Sequence, residues 1–383
     1  MNILNIIPTI NAKSGGTAEC VRQLFPFMNS QGHRWEVLTF DSPDEDFVKE
    51  NPFPVHAIGH GHTGFQFHAG LVPWLKAHRS EYDTAIIHGI WTYHSYGAWR
   101  ALHTHLPYFV YPHGMLDPYF KKAFPLKHLK KHLFWHWGDY RVLRDSTAVC
   151  FTCEEEKILA RQSFAHYSCR EEVVGLGTAS PLIDKERQQG AFFDAFPHLK
   201  GTPYLLFMSR IHPKKGLDLL LQAAGELKRL RKWQQFHLVI AGPDGVGWRS
   251  KLEYLAQQED LSSHITWTGM LDGDLKWGAL QGAEAFILPS HQENFGIVVA
   301  EALSCGIPVL ISHRVNIWRE IDEAGAGFIA PDTKQGTIDL IERWIETPET
   351  KRETMRRNAS CCFAENFEIE KAASNLLKVI TSH

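Results

Sequence analysis

The sequence predicts an α/β protein of two domains, each built around a doubly wound parallel sheet. The chain has 383 residues, which is more than one ordinary hydrophobic core accommodates. Short, continuous apolar runs recur along both halves, as expected for strands that are buried on both faces of a sheet. Amphipathic stretches separate these runs, and this alternation indicates parallel strands joined by helices.

The first half opens on an apolar run that we assign to a buried strand rather than to a signal peptide, because no basic residues precede it. The helix after it has Val21, Leu24 and Met28 at helical spacing. Gly32 is placed to end that helix, whereas Pro26 should kink it. The strands predicted in this half are 3–7, 35–40, 84–88, 108–111, 148–152 and 172–175.

The second half repeats the alternation after a change in composition between residues 177 and 202, which predicts a linker with a small irregular helix. We place the first domain at 1–185 and the second at 186–365. Helices are predicted at 217–230 and 296–304. The strands predicted in this half are 204–209, 236–241, 265–269, 285–289, 308–312 and 327–330.

The composition excludes several classes of protein. A formal net charge of −3 gives no overall field that would attract nucleic acid. No apolar run approaches the roughly 18 residues of a membrane span. The seven cysteines are scattered, so we expect a reducing, cytoplasmic location, with Cys150 and Cys153 as buried thiols.

Two patterns resemble metal sites but are interpreted otherwise. The segment from His60 to His62 lacks a helical partner motif and reads as a surface loop. Asp272 and Asp274 flank a glycine after a predicted strand and read as a turn. No metal is expected.

The most informative segment contains Glu293 and Glu301, eight residues apart, with Phe295 and Gly296 between them. A short strand and a turn precede this segment, and a helix begins within it. A helix N-terminus presents free backbone N–H groups to an anion, and carboxylates accept hydrogen bonds from hydroxyls. The segment therefore predicts a site for a phosphate flanked by polyols.

The same segment resembles the signature of the retaining family 4 glycosyltransferases, which have the GT-B fold. Four further segments resemble that family in the same order along the chain, so that the resemblance runs from about residue 3 to residue 310. They are a glycine loop at Gly15 and Gly16, a return from helix to strand at 31–39, a His-containing loop at 111–114 and a basic segment at 207–218.

The resemblance implies two facing Rossmann-like domains with a cleft between them, and a C-terminal helix at about 366–383 that packs back on the first domain. It assigns the donor diphosphate to Arg210 and Lys215, which otherwise would read as solvated basic residues of a turn. It assigns the transferred sugar to His113 and Glu293, and the ribose to Glu301. These implied catalytic residues are His113, Arg210, Lys215 and Glu293. The implied donor-binding residues are Gly15, Gly16, Met270, Leu271, Asn294, Phe295, Gly296, Ile297 and Glu301.

The activity implied is retaining transfer of a sugar from a nucleotide-diphosphate sugar, with a UDP-sugar favoured, to a polysaccharide, oligosaccharide or lipid-linked acceptor. No cofactor is expected. The alternatives are a sugar-nucleotide epimerase or phosphorylase, or a catalytically silent nucleotide-sugar-binding protein on the same fold. Front-face attack is favoured over double displacement, because no residue is an evident nucleophile. The absence of G-x-G-x-x-G and Walker motifs argues against a dehydrogenase or an NTPase.

Residues 119–144 combine basic and aromatic side chains with a single acid, Asp139. Such a segment suits an interface with anionic lipid, which would place the enzyme peripherally at the inner face of a membrane. It equally suits a helix packed on the first domain with a solvated basic face. The basic residues are Lys121, Lys122, Lys127, Lys130, Lys131, Arg141 and Arg144.

Overall fold

The computed structural model describes residues 1–12, 16–180, 184–233 and 236–382, without the side chain of Lys122. The chain divides into two compact units. The first comprises Met1–Ala179 and Ile369–His383, and the second comprises Ser180–Glu368.

The first unit is built on a seven-stranded sheet with the order β3-β2-β1-β4-β5-β6-β7, in which every pairing between these strands is parallel. The strand order reverses between β1 and β4, which lie side by side. The strands are β1 (Asn2–Ile7), β2 (Arg34–Thr39), β3 (Val55–Ala57), β4 (Thr84–His88), β5 (Tyr108–Tyr111), β6 (Ala148–Phe151) and β7 (Glu171–Val173).

Helices connect these strands. They are α1 (Gly16–Ser30), α2 (Asp46–Lys49), α3 (Leu71–His78), α4 (Tyr93–Leu102), α5 (Tyr119–Ala123), α6 (Pro125–Trp135), α7 (Asp139–Arg144) and α8 (Glu154–Ala160). Helix α1 buries Val21, Leu24 and Met28, as their spacing predicts. Pro26 lies on its exposed side, and the helix continues past it to Ser30.

The second unit has a six-stranded sheet with the order β10-β9-β8-β11-β12-β13, again with parallel pairings throughout. Its order reverses between β8 and β11, where Leu205 pairs with Ala285. The strands are β8 (Tyr204–Met208), β9 (His237–Ala241), β10 (Ile265–Gly269), β11 (Ala285–Leu288), β12 (Val309–Ser312) and β13 (Gly327–Ala330).

The helices of the second unit are α9 (Lys185–Ala195), α10 (Leu217–Arg229), α11 (Arg249–Gln258), α12 (Gly273–Gln281), α13 (Ile297–Ser304), α14 (Trp318–Ala324), α15 (Lys334–Glu346) and α16 (Glu349–Asn366). The prediction of an irregular linker helix was wrong for α9. This helix is regular, and it packs on α12, with the Gln281 side chain donating to Gln188 at 2.6 Å.

The chain returns to the first unit for its last helix, α17 (Ile369–Thr381). The backbone N–H of Ile369 donates to the carbonyl of Thr178, and α17 packs on α1. Ala373 and Leu376 are among the side chains that it buries there. The apolar side chains on one face of α17 are therefore buried within the first unit.

The predicted class, α/β with two parallel sheets, is confirmed. The sequence prediction missed β3, a three-residue edge strand whose side chains are only half-buried. Cys150 and Cys153 are buried and, like the other five cysteines, form no disulfide. Among the described residues, no helix combines the length and apolarity that crossing a bilayer requires.

Candidate functional site

The loops that follow β8 and β11 are joined at the point where the strand order of the second sheet reverses. The backbone N–H of His291 donates to the carbonyl of Lys214 at 2.7 Å, and the Ser290 hydroxyl donates to the same oxygen at 2.9 Å. Gly216 ends the turn with φ +66°, and a Cβ there would overlap the carbonyl oxygen of Pro289. Ligands of doubly wound sheets bind at such a reversal, beyond the carboxyl ends of the strands.

These loops bring together two residues that the sequence predicted separately. The ammonium of Lys215 is ion-paired with the carboxylate of Glu293. Lys215 is only 8% exposed, so this pair is largely shielded from water. The Glu293 backbone is held by the loop after β12, because its N–H donates to Arg314 and its carbonyl accepts from Asn316, at 2.9 and 3.0 Å.

Arg210 lies two residues beyond the end of β8 and is exposed. Within the described residues, no hydrogen bond or ion pair engages its guanidinium. Burial lowers the pKa of His212, and the neighbouring cations, among them Arg210 and Lys215, lower it further. The turn therefore carries a concentrated positive charge, with one guanidinium available to an anion.

Helix α13 begins beside this positive turn. Gly296 precedes it in the left-handed conformation, with φ +75°. In the described part of the chain, the backbone N–H groups of Gly296, Ile297 and Val298 donate to no protein acceptor. The Phe295 ring is buried against Phe367 and so fixes the entry into the helix. These N–H groups and the helix dipole favour an anion at this end.

Asn294 lies between the two predicted carboxylates. Its side-chain oxygen accepts from the amide of Asn316 at 3.3 Å. Asn316 therefore contacts both Glu293 and Asn294, and it ties the loop after β12 to the entry of α13.

Glu301 lies in the second turn of α13 and is 5% exposed. Its Oε1 atom accepts from the ammonium of Lys276, on α12, at 2.6 Å. The sequence analysis missed Lys276. The signal that could have found it is the carboxylate itself, because a carboxylate in an apolar helix needs a cation or donor nearby.

Met270 and Leu271 follow β10, at the same end of the sheet as the loops after β8 and β11, where the strands have their carboxyl ends. Met270 is 69% exposed, whereas Leu271 is buried. The loop after β9 contacts the end of β10 and the loop after β8. The N–H of Gly242 donates to the carbonyl of Gly269 at 2.7 Å, and a Cβ on Gly242 would overlap the carbonyl oxygen of Ser209.

The two aspartates of the predicted turn have separate surroundings. Asp272 directly precedes α12, whereas Asp274 lies within that helix and pairs with Arg187 at 3.1 Å. Among the described residues, no group of three or more His, Cys, Asp or Glu side chains could hold a metal ion.

His113 belongs to the first unit, where it follows β5 with a left-handed backbone, φ +50°. Its Nε2 atom lies 3.1 Å from Nδ1 of His88, whose Nε2 lies 3.1 Å from Oδ1 of Asn5. Burial lowers the pKa of His113 to about 4 and that of His88 well below its ordinary value, so both rings are neutral at neutral pH.

This hydrogen-bond chain selects the tautomer of His113. The amide oxygen of Asn5 is an acceptor, so His88 donates from Nε2 and accepts at Nδ1. His113 then donates from Nε2, and its Nδ1 is left as an acceptor. The sequence analysis had identified His113 but not His88 or Asn5, which lie on β4 and β1.

The loop of His113 is also held by the side chain of Glu156, on α8. The N–H of Gly114 donates to the buried carboxylate of Glu156 at 2.5 Å. The other Glu156 oxygen accepts from the backbone and the hydroxyl of Thr152. Of the predicted glycine pair, Gly16 is the exposed first residue of α1, and Gly15 lies outside the described residues.

Two family models match the chain, one for each half. The model described as glycosyl transferase 4-like domain matches residues 15–177, and the model described as glycosyl transferases group 1 matches residues 188–360. Together they account for most of both units.

Curated relatives resemble parts of the chain. An alpha-D-kanosaminyltransferase of Streptomyces kanamyceticus is 32% identical over 180 residues, 46% of this chain and 45% of that protein. An alpha-1,3/1,6-mannosyltransferase of Homo sapiens is 28% identical over 192 residues, 48% of this chain and 46% of that protein. The chain thus spans about half the length of the curated relatives that it matches.

Solved structures share the fold over the whole chain. A sucrose-phosphate synthase from Thermosynechococcus elongatus superposes with a TM-score of 0.76 at 19% identity, covering 100% of this chain and 98% of that one. Anabaena HepE in complex with UDP and glucose superposes with a TM-score of 0.76 at 17% identity, covering both chains fully. At this identity the similarity establishes the fold, and the predicted GT-B class is confirmed. With both halves matched by their models, the chain belongs to the group 1 glycosyltransferases of the family 4-like, GT-B type.

Proposed function

We propose that this protein transfers a sugar, with retention, from a nucleotide-diphosphate sugar to a carbohydrate or lipid-linked acceptor. The observation that carries the proposal is the cluster of Arg210, Lys215 and Glu293 beside the N-terminus of α13. It combines cations, free backbone N–H groups and a carboxylate at the reversal of the second sheet. This combination suits a diphosphate bound to a polyhydroxyl group.

The cations stabilise the departing diphosphate in this proposal. Arg210 offers a planar fork for two phosphate oxygens, and Lys215 adds a compact charge. Charge grows on the diphosphate as the bond to the sugar breaks, so donors fixed before the reaction lower the barrier. Since protein cations neutralise the leaving group, we expect no metal or cofactor, and turnover should withstand a chelator.

The carboxylates recognise the two sugars of the donor. Glu293 accepts from hydroxyls of the transferred sugar, and its pairing with Lys215 fixes its direction. Glu301 is assigned to the ribose hydroxyls while Lys276 holds its Oε1 atom, since an ionised carboxylate can accept about four hydrogen bonds. We assign Met270 and Leu271 to the nucleotide base.

His113 is proposed to contact the transferred sugar, as the family resemblance implies. Its Nδ1 atom would accept a hydrogen bond from a hydroxyl of that sugar, because the hydrogen-bond chain through His88 makes Nε2 the donor. No nucleophile emerges from these assignments. Front-face attack, with a diphosphate oxygen taking the proton of the acceptor hydroxyl, is therefore the favoured route to retention.

The relatives support the classes of donor and acceptor. HepE was crystallised with UDP and glucose, so a UDP-sugar is the favoured donor here. The relatives include mannosyl- and kanosaminyltransferases and a phosphatidyl-myo-inositol mannosyltransferase. We therefore propose an oligosaccharide, polysaccharide or lipid-linked acceptor. The scattered free cysteines favour the cytoplasm or the inner face of the membrane as the place of reaction.

A thermal-shift screen of UDP-, GDP- and ADP-sugars identifies the donor, since a ligand that binds the folded state raises Tm by mass action. Analysis of the products with that donor and no acceptor then tests the activity. Slow release of free sugar and nucleoside diphosphate is the expected result. An epimerised donor would favour the epimerase. A donor that binds but stays unchanged, also when a panel of acceptors is added, would favour a silent binding protein.

A further inference from the structure

Helix α6 presents its leucines to solvent. Leu126, Leu129 and Leu133 are 78%, 57% and 70% exposed, and Trp137 just beyond the helix is 70% exposed. Their spacing of three and four residues places the leucines on one face of the helix. Five of the eleven exposed large apolar side chains in the described part of the chain lie between residues 124 and 137.

The opposite face of α6 attaches the helix to the first unit. Trp135 is fully buried, and its indole N–H donates to the carbonyl of Ala165 at 3.1 Å. The rings of His128 and His132 stack on Phe164, with centroids 4.7 and 6.2 Å away.

Lys131 also belongs to this inner face. Its ammonium lies 4.4 Å from the ring centroid of Trp91. Burial lowers the pKa of Lys131. A surface helix ordinarily turns its apolar stripe inward. Here the leucine stripe faces outward. The contacts with the fold are made instead by two histidines, a lysine, the buried Trp135 and the Phe134 ring, which packs on Phe65 with ring centroids 5.3 Å apart. Packing on the domain therefore does not account for the leucines.

Positive charge surrounds the leucines. Lys121, Lys127 and Lys130 are exposed, and the Lys127 ammonium lies 5.3 Å from the ring centroid of Phe124. The acid of this segment, Asp139, is fully buried, and it accepts from the hydroxyl of Ser95 at 3.0 Å. It therefore adds no negative charge to the surface.

We propose that this face docks on an anionic lipid surface. The α6 face is defined here as Leu126, Lys127, Leu129, Lys130, Leu133 and Trp137. Exposed leucines flanked by lysines match an interface where acyl chains meet negatively charged headgroups. At 11 residues and about 1.5 Å per residue, α6 lies in the plane of such an interface rather than across it.

Docking would bring the enzyme to a lipid-linked acceptor, and this role rests on the proposed function. The binding itself does not depend on it, because the α6 face contains none of the residues assigned to donor or sugar. The two proposals can therefore fail separately.

Flotation with vesicles of phosphatidylcholine containing phosphatidylglycerol tests the docking. The wild-type protein should float with these vesicles at low salt, bind less as salt rises, and not float with pure phosphatidylcholine. Lys127→Gln/Lys130→Gln should weaken binding by about fivefold for each lysine. Leu126→Ser/Leu129→Ser/Leu133→Ser should weaken it by roughly tenfold for each leucine that inserts.

Matched variants in the second unit serve as controls. Lys251→Gln/Lys351→Gln removes two exposed lysines, and Leu230→Ser/Val246→Ser removes two exposed apolar side chains. Both should float like wild type. Because all the substituted side chains are exposed, the variants should keep the wild-type Tm and its increase with the donor.

A wild-type protein that responds to donor but does not float would overturn the docking and leave the proposed function intact. Flotation that the control variants lose as strongly as the α6 variants would also overturn it. So would a dimer, measured by light scattering, that the leucine variant dissociates while vesicles remain unbound. Flotation without any donor response would support the docking and contradict the proposed function.

Discussion

The ammonium of Lys215 is paired with the carboxylate of Glu293, across 78 positions of sequence. The family resemblance gives these residues separate tasks, one toward the diphosphate and one toward the sugar. The pairing makes them one unit, because each fixes the direction of the other. An ammonium has three donors, so Lys215 can contact Glu293 and a phosphate oxygen together.

Glu293→Gln tests this coupling. The amide keeps the shape of the side chain but loses its charge, so Lys215 becomes fully available to a phosphate. We expect kcat for sugar transfer to fall about 100-fold, while the affinity for nucleoside diphosphate stays equal or rises. Steady-state kinetics and calorimetric titration measure the two quantities. A parallel loss of both would contradict the coupling.

Gly216→Ala tests the junction of the two loops. Gly216 and Gly247 have nearly the same backbone, with φ +66° and +68°, but a Cβ would meet Pro289 at the first and nothing within 4 Å at the second. Gly247→Ala should cost only the left-handed conformation, about 1 kcal/mol of unfolding free energy. Gly216→Ala should cost clearly more and also weaken donor binding.

Denaturant unfolding of the two variants gives both costs. Equal destabilisation, with donor binding retained in Gly216→Ala, would show that the close approach to Pro289 does not hold the site.

The buried histidines of the first unit predict its acid sensitivity. Burial lowers the pKa of His94 to about 4, as it does for His113, and it lowers that of His88 well below its ordinary value. Below about pH 6.5 the imidazoles of the unfolded chain become protonated, whereas those of the folded protein stay neutral down to about pH 4. Stability should therefore fall through this window as pH decreases, by up to about 1.4 kcal/mol per pH unit for each histidine.

Asp139 acts in the opposite direction. Burial raises its pKa to about 6, so between that pH and its ordinary value near 3.8 the folded state binds the extra proton. Three histidines outweigh this one carboxyl. Hydrogen exchange of the first unit between pH 7 and 5 should show the loss of stability, and His94→Gln should reduce its slope. A slope unchanged by this substitution would refute the assignment.

The sequence predicted most of the fold because both sheets are formed by continuous apolar runs. Strands such as Thr84–His88 and Ile265–Gly269 have the predicted bounds. Strand β3 was not predicted, because a short, half-buried edge strand has no apolar run in the sequence. Helix α9 was misjudged because its polar composition resembled a linker, although it packs on α12.

Motifs in the sequence named individual residues of the candidate site, but they did not predict which of these residues contact each other. Motifs located Lys215, Glu293 and Glu301, whose roles still rest on the proposal. Their partners depend on which loops the sheet brings together. Lys276 lies on a helix outside every motif, and His88 on a strand that reads simply as buried. Such long-range contacts follow from strand order, which one sequence does not reveal.

The central claim is that the loops at the carboxyl ends of β8 and β11, in the second sheet, bind a nucleotide-sugar diphosphate. Calorimetric titration with UDP, GDP and ADP tests it most directly, with the tightest of the three compared across variants. Arg210→Ala/Lys215→Ala should weaken binding by about 100-fold or more, whereas Lys251→Ala/Lys351→Ala should leave it unchanged. Equal affinity in the two double variants would contradict the account.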